Sequence, residues 1–140
     1  MIIDDTHRFF YHGYQGSYSF TSARKYFGVP DGAFLYGASK EARKIDRNTD
    51  ISVLHNIKRL VGCQDEAYNN YLIYEASLGN KLKRISLLSE RLLSGFNYET
   101  AAKIRINNFN FLHEQLQTYN NLTIDLTEID VPFCYPFLPD

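Results

Sequence analysis

A chain of 140 residues has the length of one domain, and its 44% apolar and 15% aromatic residues are enough for a packed core. The 15 basic and 16 acidic residues nearly cancel, which argues against a bulk field that would attract nucleic acid or an anionic membrane surface. The only cysteines, Cys63 and Cys134, are too far apart for a Cys-x-x-Cys motif, which argues against a disulfide framework or a thiolate zinc site and favours a reducing cytoplasm.

The first 37 residues are predicted to form short strands around one lysine. Residues 2–5, IIDD, place two β-formers before two aspartates, the pattern of a buried strand that ends at the edge of a site. The alternating segment 17–20, SYSF, and the apolar run 33–36, AFLY, predict two further strands. Between them residues 28–32, GVPDG, must turn, because proline fixes φ and glycine permits a positive φ. A strand-loop-strand unit therefore surrounds Lys25.

Residues 38–120 are predicted to be mainly helical. Segment 39–47 is charged and solvated, and the apolar residues of 53–61 keep helical spacing, which predicts an amphipathic helix. Another helix is expected over 65–78, because Gly79 and the asparagine after it supply a C-terminal stop.

Two more helices complete this middle part of the chain. Apolar residues recur at helical spacing from Ile85 to Leu92 before Gly95 ends the run, and Asn97 fits the N-cap of the next and longest helix. That longest helix is predicted to pack against the protein core through one face and to expose the opposite face to solvent. The packing face consists of Ile106, Phe109, Leu112 and Leu116.

The last 20 residues are predicted to be extended. Residues 122–126, LTIDL, alternate in polarity, and residues 131–136, VPFCYP, contain two prolines that exclude a helix. The chain therefore ends inside a predicted strand. Together these patterns predict one partial α/β domain over residues 1–140, with strands in 1–37, helices in 38–120 and the start of another strand in 121–140.

Residues 19–32, SFTSARKYFGVPDG, resemble the lysine loop of the DegT-type pyridoxal-phosphate-dependent sugar aminotransferases. In that family a Ser-Phe strand precedes the lysine, and an acidic residue and a glycine follow it, at the places of Asp31 and Gly32 here. Upstream, residues 2–7, IIDDTH, resemble the strand end that brings an aspartate beneath the cofactor. The resemblance implies a partial large domain of fold type I, and residues 131–138 within 121–140 resemble the first strand of the family's small C-terminal domain.

The resemblance also implies a role for each candidate site residue. Lys25 matches the lysine whose amine condenses with the aldehyde of pyridoxal phosphate and later carries a proton. Asp4 matches the carboxylate that keeps the ring nitrogen protonated, and His7 would bind the ring hydroxyl or orient that carboxylate. Ser19 and Ser22 are both candidates to donate to the phosphate, because the stretch before the lysine is one residue longer than the commonest family form.

The function implied by the resemblance is amino transfer from an amino acid to a keto sugar carried on a nucleotide. The family places its phosphate-binding turn before the aspartate strand, whereas only three residues precede Asp4 here, so a fragment is expected. The alternative is a non-catalytic folded remnant or an oligomeric interaction module. A homo-oligomer is expected, because the absent strands would leave a sheet edge open and an apolar face uncovered. Neither a membrane nor nucleic acid is an expected partner, and no apolar stretch reaches the length of a membrane span.

Simpler interpretations exist for each of these residues. Lys25 could be an ordinary solvated lysine, and only its position between two strands argues otherwise. Asp4 and Asp5 could be a turn or N-cap pair, which is the commoner role of adjacent aspartates. Asp4, His7 and His12 could be metal ligands, but their spacing matches no standard zinc pattern.

Overall fold

The computed structural model describes residues 1–11, 16–37, 45–125 and 131–139. This part of the chain contains a small mixed sheet followed by α-helices, so the predicted α/β composition is confirmed. The strands are β1 (Ile2–Asp4), β2 (Tyr18–Ser22) and β3 (Ala33–Tyr36). The α-helices are α1 (Leu54–Leu60), α2 (Gln64–Ser77), α3 (Leu87–Gly95) and α4 (Tyr98–Leu116), and short 3-10 turns cover Ala23–Lys25 and Gln117–Tyr119.

The three strands lie in the order β1-β2-β3, with β1 parallel to β2 and β3 antiparallel to it. All three strands predicted around Lys25 are therefore formed. The register pairs Ile2 with Tyr18 and Phe20 with Leu35. Because paired residues point to the same side of a sheet and neighbours along a strand to opposite sides, these four apolar residues share one face.

The opposite face of the sheet is the covered one. It carries Ser19, Thr21 and, across from Thr21 on β3, Phe34. The ring centroid of Phe34 lies 5.5 Å from that of Phe9, whose ring is buried. The covered face therefore meets the aromatic core of the protein.

The core is an aromatic cluster centred on Phe9, here called the Phe9 cluster. Aromatic rings from four separate parts of the chain surround Phe9 at centroid distances of 4.9 to 5.9 Å. The cluster joins the turn after β1, the Lys25 loop, α3 and the start of α4, because each contributes apolar side chains to it. Its members are Phe9, Ala23, Tyr26, Val29 and Leu93, with Phe10, Phe27, Ile85, Tyr98 and Phe133 packed against them.

The predicted helices over 53–61 and 65–78 are confirmed as α1 and α2, and the next two as α3 and α4. Asn97 caps α4 as predicted, because its side chain accepts a hydrogen bond of 2.9 Å from the backbone N–H of Thr100. On the predicted face of α4, Phe109 is buried whereas Leu112 is exposed. None of the helices within the described ranges is long and apolar enough to cross a bilayer.

Two sequence interpretations need correction. Residues 45–47 are not helical; Arg47 instead forms an isolated bridge with Arg84, and the rest of segment 39–47 lies outside the described residues. The predicted C-terminal strand is also absent from 122–125 and 131–138, since none of these residues has a sheet partner. Extended backbone becomes a strand only when another strand pairs with it, and the prolines of this segment remove the N–H groups that such pairing needs.

The C-terminal segment is held to α4 by side chains. Phe109 meets the ring of Tyr135 at a centroid distance of 5.1 Å, and Arg105 donates to the carbonyl of Phe133 at 3.2 Å. The side-chain oxygen of Asn120 accepts from the N–H of Leu138 at 3.0 Å. The segment is thus ordered along the helix although it forms no strand.

Candidate functional site

Lys25 lies in the 3-10 turn that directly follows β2. Ala23 anchors this turn, because its side chain is fully buried and its N–H donates to the carbonyl of Gly32 at 3.1 Å. The N–H groups of Tyr26 and Phe27 both donate back to the carbonyl of Ala23. Lys25 itself is exposed and has no hydrogen bond or ion pair to any residue that the structure describes. A turn fixed by backbone hydrogen bonds therefore presents an amine that has no partner among the residues the structure describes.

The Lys25 turn forms one wall of an open cleft of about 1230 Å³, here called the Lys25 cleft. Ser22, Arg24 and Lys25 contribute the polar groups of this wall. Helices α1 and α2 form the opposite wall, and Leu88 and Leu92 of α3 add an apolar patch. The cleft is open to solvent, and its volume is large enough for a small-molecule ligand.

The two walls of the cleft are connected by an ion pair. The guanidinium Nη2 of Arg24 donates to Oε1 of Glu75 on α2, and both side chains are about one third exposed. On the same wall as Glu75, the guanidinium of Arg59 lies 5.6 Å from the ring centroid of Tyr71. Arg24, Lys25 and Arg59 outnumber Glu75, so the cleft carries an excess of positive charge that favours an anionic ligand.

His55 is the buried imidazole of the α1–α2 wall, with 3% of its surface exposed. Its ring stacks on Tyr74 at a centroid distance of 5.6 Å and meets the edge of Tyr71 at 5.8 Å. Burial lowers the pKa of His55 because it disfavours the charged ring, and the positive charges of Arg59 and Arg24 lower it further. His55 is therefore neutral at pH 7 and serves to pack α1 on α2.

Asp31 fixes the other end of the lysine loop to α3. Its carboxylate accepts from the N–H of Ser86 at 2.9 Å, from the Ser86 hydroxyl at 2.6 Å, from the Ser89 hydroxyl, and from the Asn48 amide at 3.0 Å. Ser86 and Ser89 are both buried, and Ser86 also caps α3. Burial alone would raise the pKa of Asp31, but the hydrogen bonds from Ser86, Ser89 and Asn48 outweigh it and hold the pKa below its ordinary value.

Gly32 allows the loop to approach α3 this closely. Its φ is 123°, in the region that glycine alone adopts without strain, as the sequence predicted for the GVPDG turn. A Cβ on Gly32 would lie 2.6 Å from Cδ1 of Ile85, so any side chain would displace the end of the Ile85 side chain, which packs against the Phe9 cluster. The acidic residue and glycine after the lysine therefore both position the loop.

The structure brings two of the predicted site residues, Ser22 and Lys25, together at the cleft. Ser19 is fully buried on the covered face of the sheet, and its hydroxyl has no hydrogen-bond partner among the described residues. Because Ser19 and Ser22 are three positions apart on one strand, they point to opposite faces. Of the two serines that the sequence left as candidates for binding the phosphate, only Ser22 can share a ligand with Lys25.

Asp4 and His7 do not line the cleft. The Asp4 carboxylate accepts from the N–H of Thr6 at 2.9 Å and from its hydroxyl at 2.5 Å, and these hydrogen bonds lower the pKa of Asp4. Asp4 thus closes a local turn at the end of β1. The His7 ring stacks on Phe133 at a centroid distance of 4.5 Å. Because β1 and β2 are parallel, their carboxyl ends lie at the same end of the sheet. Asp4, the last residue of β1, and Ser22, the last residue of β2, are therefore both at this end.

The sequence singled out Asp4, but the buried carboxylate of this aspartate pair is that of Asp5. Asp5 Oδ2, Ser19 Oγ and Thr21 Oγ1 are buried without hydrogen-bond partners in the part of the chain that the structure covers. The N–H of Asp5 bonds the carbonyl of Phe20, which extends the ladder and places Asp5 beside Thr21. The alternation of Ser19 and Thr21 with aromatic residues was the available signal for a polar strip on this face.

The helical wall of the cleft was missed as well, because His55, Arg59 and Glu75 lie 30 to 50 positions from Lys25 and belong to no motif. Cys63 and Cys134 are exposed free thiols. Within the described ranges, no three His, Cys, Asp or Glu residues are grouped as metal ligands, and His12 of the metal interpretation lies outside those ranges.

Comparisons with known proteins identify no relative. Neither the protein-family models, nor the curated proteins, nor the solved structures contain a match for this chain. A functional proposal therefore depends on the Lys25 cleft and on the resemblance of residues 2–36.

Proposed function

We propose that the Lys25 cleft binds pyridoxal phosphate through the Lys25 amine, as a partial fold-type-I aminotransferase of the DegT type. The observation that carries this proposal is an exposed amine without a partner in the described chain, in one cleft with a hydroxyl and a guanidinium. These groups fit an aldehyde at one end of the ligand and a phosphate at the other. The positive charge of the cleft favours the same ligand.

Ser22 and Arg24 are the residues that would hold the phosphate. The Ser22 hydroxyl donates one hydrogen bond, and the Arg24 guanidinium has five N–H donors, of which the Glu75 ion pair occupies few. The resemblance assigns the ring nitrogen to Asp4, a role that it alone supplies, because Asp4 does not line the cleft and would have to leave its hydrogen bonds with Thr6. When bound, the pyridoxal ring supplies the electron-accepting system for chemistry at a substrate carbon. Lys25 would anchor the cofactor and then move a proton, and an amino acid and a nucleotide-linked keto sugar would be the substrates.

Covalent labelling tests this function. Purified protein is incubated with pyridoxal phosphate and reduced with borohydride, and the labelled peptides are then identified by mass spectrometry. We expect Lys25 to be labelled at least about tenfold faster than Lys81, an exposed lysine paired with Asp46, because phosphate binding raises the local aldehyde concentration. Lys25→Ala should abolish the preferred label, whereas Lys81→Ala should leave it intact.

Pyridoxal without its phosphate provides the matched ligand control. The preference for Lys25 should disappear with this ligand, since Ser22 and Arg24 then have no anion to bind. Equal labelling of Lys25 and Lys81 by pyridoxal phosphate would show that the cleft has no affinity for the cofactor, and would contradict the proposal.

A second function, that of an oligomeric interaction module, is favoured by the surface of the chain. Its accessible area is 10225 Å², whereas a compact monomer of 16.3 kDa exposes roughly 7,500 Å². Among the described residues, eight hydrophobic side chains are buried and 25 large ones are exposed. This surface supports a role in which another protein chain covers it, with or without catalysis at Lys25.

A further inference from the structure

Helices α1 and α2 form a pair, here called the helical hairpin (residues 54–77), that stands apart from the core. Within the hairpin, the buried ring of His55 on α1 stacks on Tyr74 of α2 at a centroid distance of 5.6 Å. Among the described residues, every member of the Phe9 cluster and every side chain packed against it comes from outside the hairpin. The hairpin can therefore change position without disrupting the Phe9 cluster.

The apolar side chains on the two walls of the Lys25 cleft do not pack on each other. Ile57 and Leu60 of the hairpin line the cleft and are 52% and 87% exposed. Leu88 and Leu92 of α3 line the opposite side and are 40% and 41% exposed. Apolar packing at the cleft thus contributes little to holding the hairpin in place, and its position there depends on polar contacts.

The two ends of the hairpin lead into a backbone anchor. The N–H of Asn48 donates to the carbonyl of Arg84, and the N–H of Arg84 donates to the carbonyl of Asp46, both at 2.8 Å. Between this anchor and the helices, residues 49–53 and 78–83 form neither helix nor strand. Hinges are commonly a few loop residues at the ends of helices, because such residues absorb changes in φ and ψ. These two segments are therefore the hinges about which the hairpin could move.

The Arg24–Glu75 ion pair links the hairpin to the Lys25 turn across the cleft. Its two side chains are 28% and 35% exposed, and such an ion pair is weak because water and salt compete with it. A phosphate group carries more negative charge than a carboxylate and offers three acceptor oxygens to a guanidinium. A phosphate that enters the cleft can therefore take the place of Glu75 on Arg24.

We propose that the Arg24–Glu75 ion pair is a latch that holds the helical hairpin at the Lys25 cleft, and that an anion bound by Arg24 releases the hairpin. This inference rests on the proposed function in one respect, since the releasing anion is the phosphate of the ligand. The coupling is reciprocal: if the anion loosens the latch, then loosening the latch raises the affinity for the anion. Glu75 therefore restrains the hairpin and competes with the ligand for Arg24.

The two cysteines of the chain allow the position of the hairpin to be measured directly. Cys63 lies between α1 and α2 at the tip of the hairpin, Cys134 lies in the segment held to α4, and both thiols are exposed. Nitroxide labels on the two thiols give the distance between hairpin and core by double electron–electron resonance. Without any ligand, Glu75→Gln should broaden the distance distribution at least about twofold, because the hairpin then loses its link to the Lys25 turn.

Glu66→Gln is the matched control, because it removes an ion pair from the same helix. Glu66 pairs with Lys58 of α1, so this contact lies inside the hairpin and does not cross the cleft. The distance distribution of Glu66→Gln should equal that of the wild type.

Inorganic phosphate is the probe for release, with chloride at the same ionic strength as its control. Phosphate should broaden the wild-type distribution to that of Glu75→Gln, and it should leave the distribution of Glu75→Gln unchanged. By isothermal titration calorimetry, Glu75→Gln should bind phosphate at least about threefold more tightly than the wild type, because no carboxylate then competes for Arg24.

The outcomes separate the latch from the proposed function. An unchanged distribution in Glu75→Gln, or equal broadening in Glu66→Gln, would overturn the latch even if pyridoxal phosphate labels Lys25 preferentially. Broadening in Glu75→Gln without any effect of phosphate on the wild type would overturn release by an anion, and the labelling of Lys25 would still decide the proposed function. If circular dichroism shows that Glu75→Gln does not fold, Arg24→Gln breaks the same ion pair from the other wall, and an unchanged distribution in that folded variant would overturn the latch.

Discussion

Replacing Asp31 with alanine is expected to lower the free energy of unfolding by about 3 kcal/mol. The substitution removes the acceptor of four hydrogen bonds from Ser86, Ser89 and Asn48. The donors of Ser86 and Ser89 are buried, so water cannot replace the carboxylate without opening the contact between the lysine loop and α3. Urea denaturation followed by circular dichroism measures the change.

Two variants control this experiment. Asp31→Asn keeps the shape and one acceptor oxygen, and should cost clearly less than Asp31→Ala. Asp46→Ala removes a mainly exposed carboxylate whose side-chain partner among the described residues is exposed Lys81, so it should change stability by less than about 1 kcal/mol. A loss of stability in Asp46→Ala as large as that in Asp31→Ala would contradict a special role for the Asp31 carboxylate.

The contribution of Asp31 should also depend on pH. The pKa of Asp31 is lower in the folded protein than its ordinary value, so the unfolded chain binds its proton first as pH falls. The stabilisation is therefore fully present above about pH 4, near the pKa of an unperturbed aspartate, and is lost as pH falls through the lowered folded-state pKa. The difference in stability between the wild type and Asp31→Asn should narrow below pH 4, and a constant difference down to pH 2 would refute the assignment.

Phe9→Ala should be at least as damaging, with a loss of about 3–5 kcal/mol. The ring of Phe9 is buried and contacts Phe10, Tyr26, Phe27, Phe34 and Tyr98, so its removal leaves a cavity in the cluster that joins the sheet to α3 and α4. Because small domains are stable by only about 5–15 kcal/mol, a loss of this size is a large fraction of the total free energy of unfolding.

Thermal unfolding measured by calorimetry would quantify the effect of Phe9→Ala. The matched control is Phe111→Ala on α4, where the replaced ring is 61% exposed and the expected change is within about 0.5 kcal/mol. Comparable shifts in melting temperature for the two variants would mean that Phe9 does not organise the core.

Local sequence patterns predicted the strands and most of the helices. The GVPDG turn between two apolar runs was sufficient to place β2 and β3, because the conformations of proline and glycine are determined within a few residues. The apolar spacing of 53–61 and the asparagine at position 97 likewise predicted α1 and the start of α4. In each case the residues that determine the local structure lie within the length of one or two helical turns.

The site was only partly predictable, since its geometry depends on distant residues. The choice between Ser19 and Ser22 required knowledge of which face of β2 is covered. The turn at Asp4 is local and was one of the interpretations of the aspartate pair, whereas the burial of Asp5 depends on the folded sheet. The partners of Asp31 lie 17 to 58 positions away, and no pattern around Asp31 indicates them. The prediction of a C-terminal strand was wrong, because alternation of polar and apolar residues cannot reveal whether a neighbouring strand exists to pair with it.

The bonds between Asp31 and Ser86 have a kinetic consequence, since they connect residues 55 positions apart. Closing a loop of this length costs about 3.5 kcal/mol of chain entropy in addition to a constant term. We expect contacts between residues so far apart in sequence to form after the local helices, on the native side of the folding barrier. Weakening them should therefore accelerate unfolding more than it slows folding, so the Asp31 carboxylate determines mainly how long each molecule, once folded, keeps its lysine loop in place.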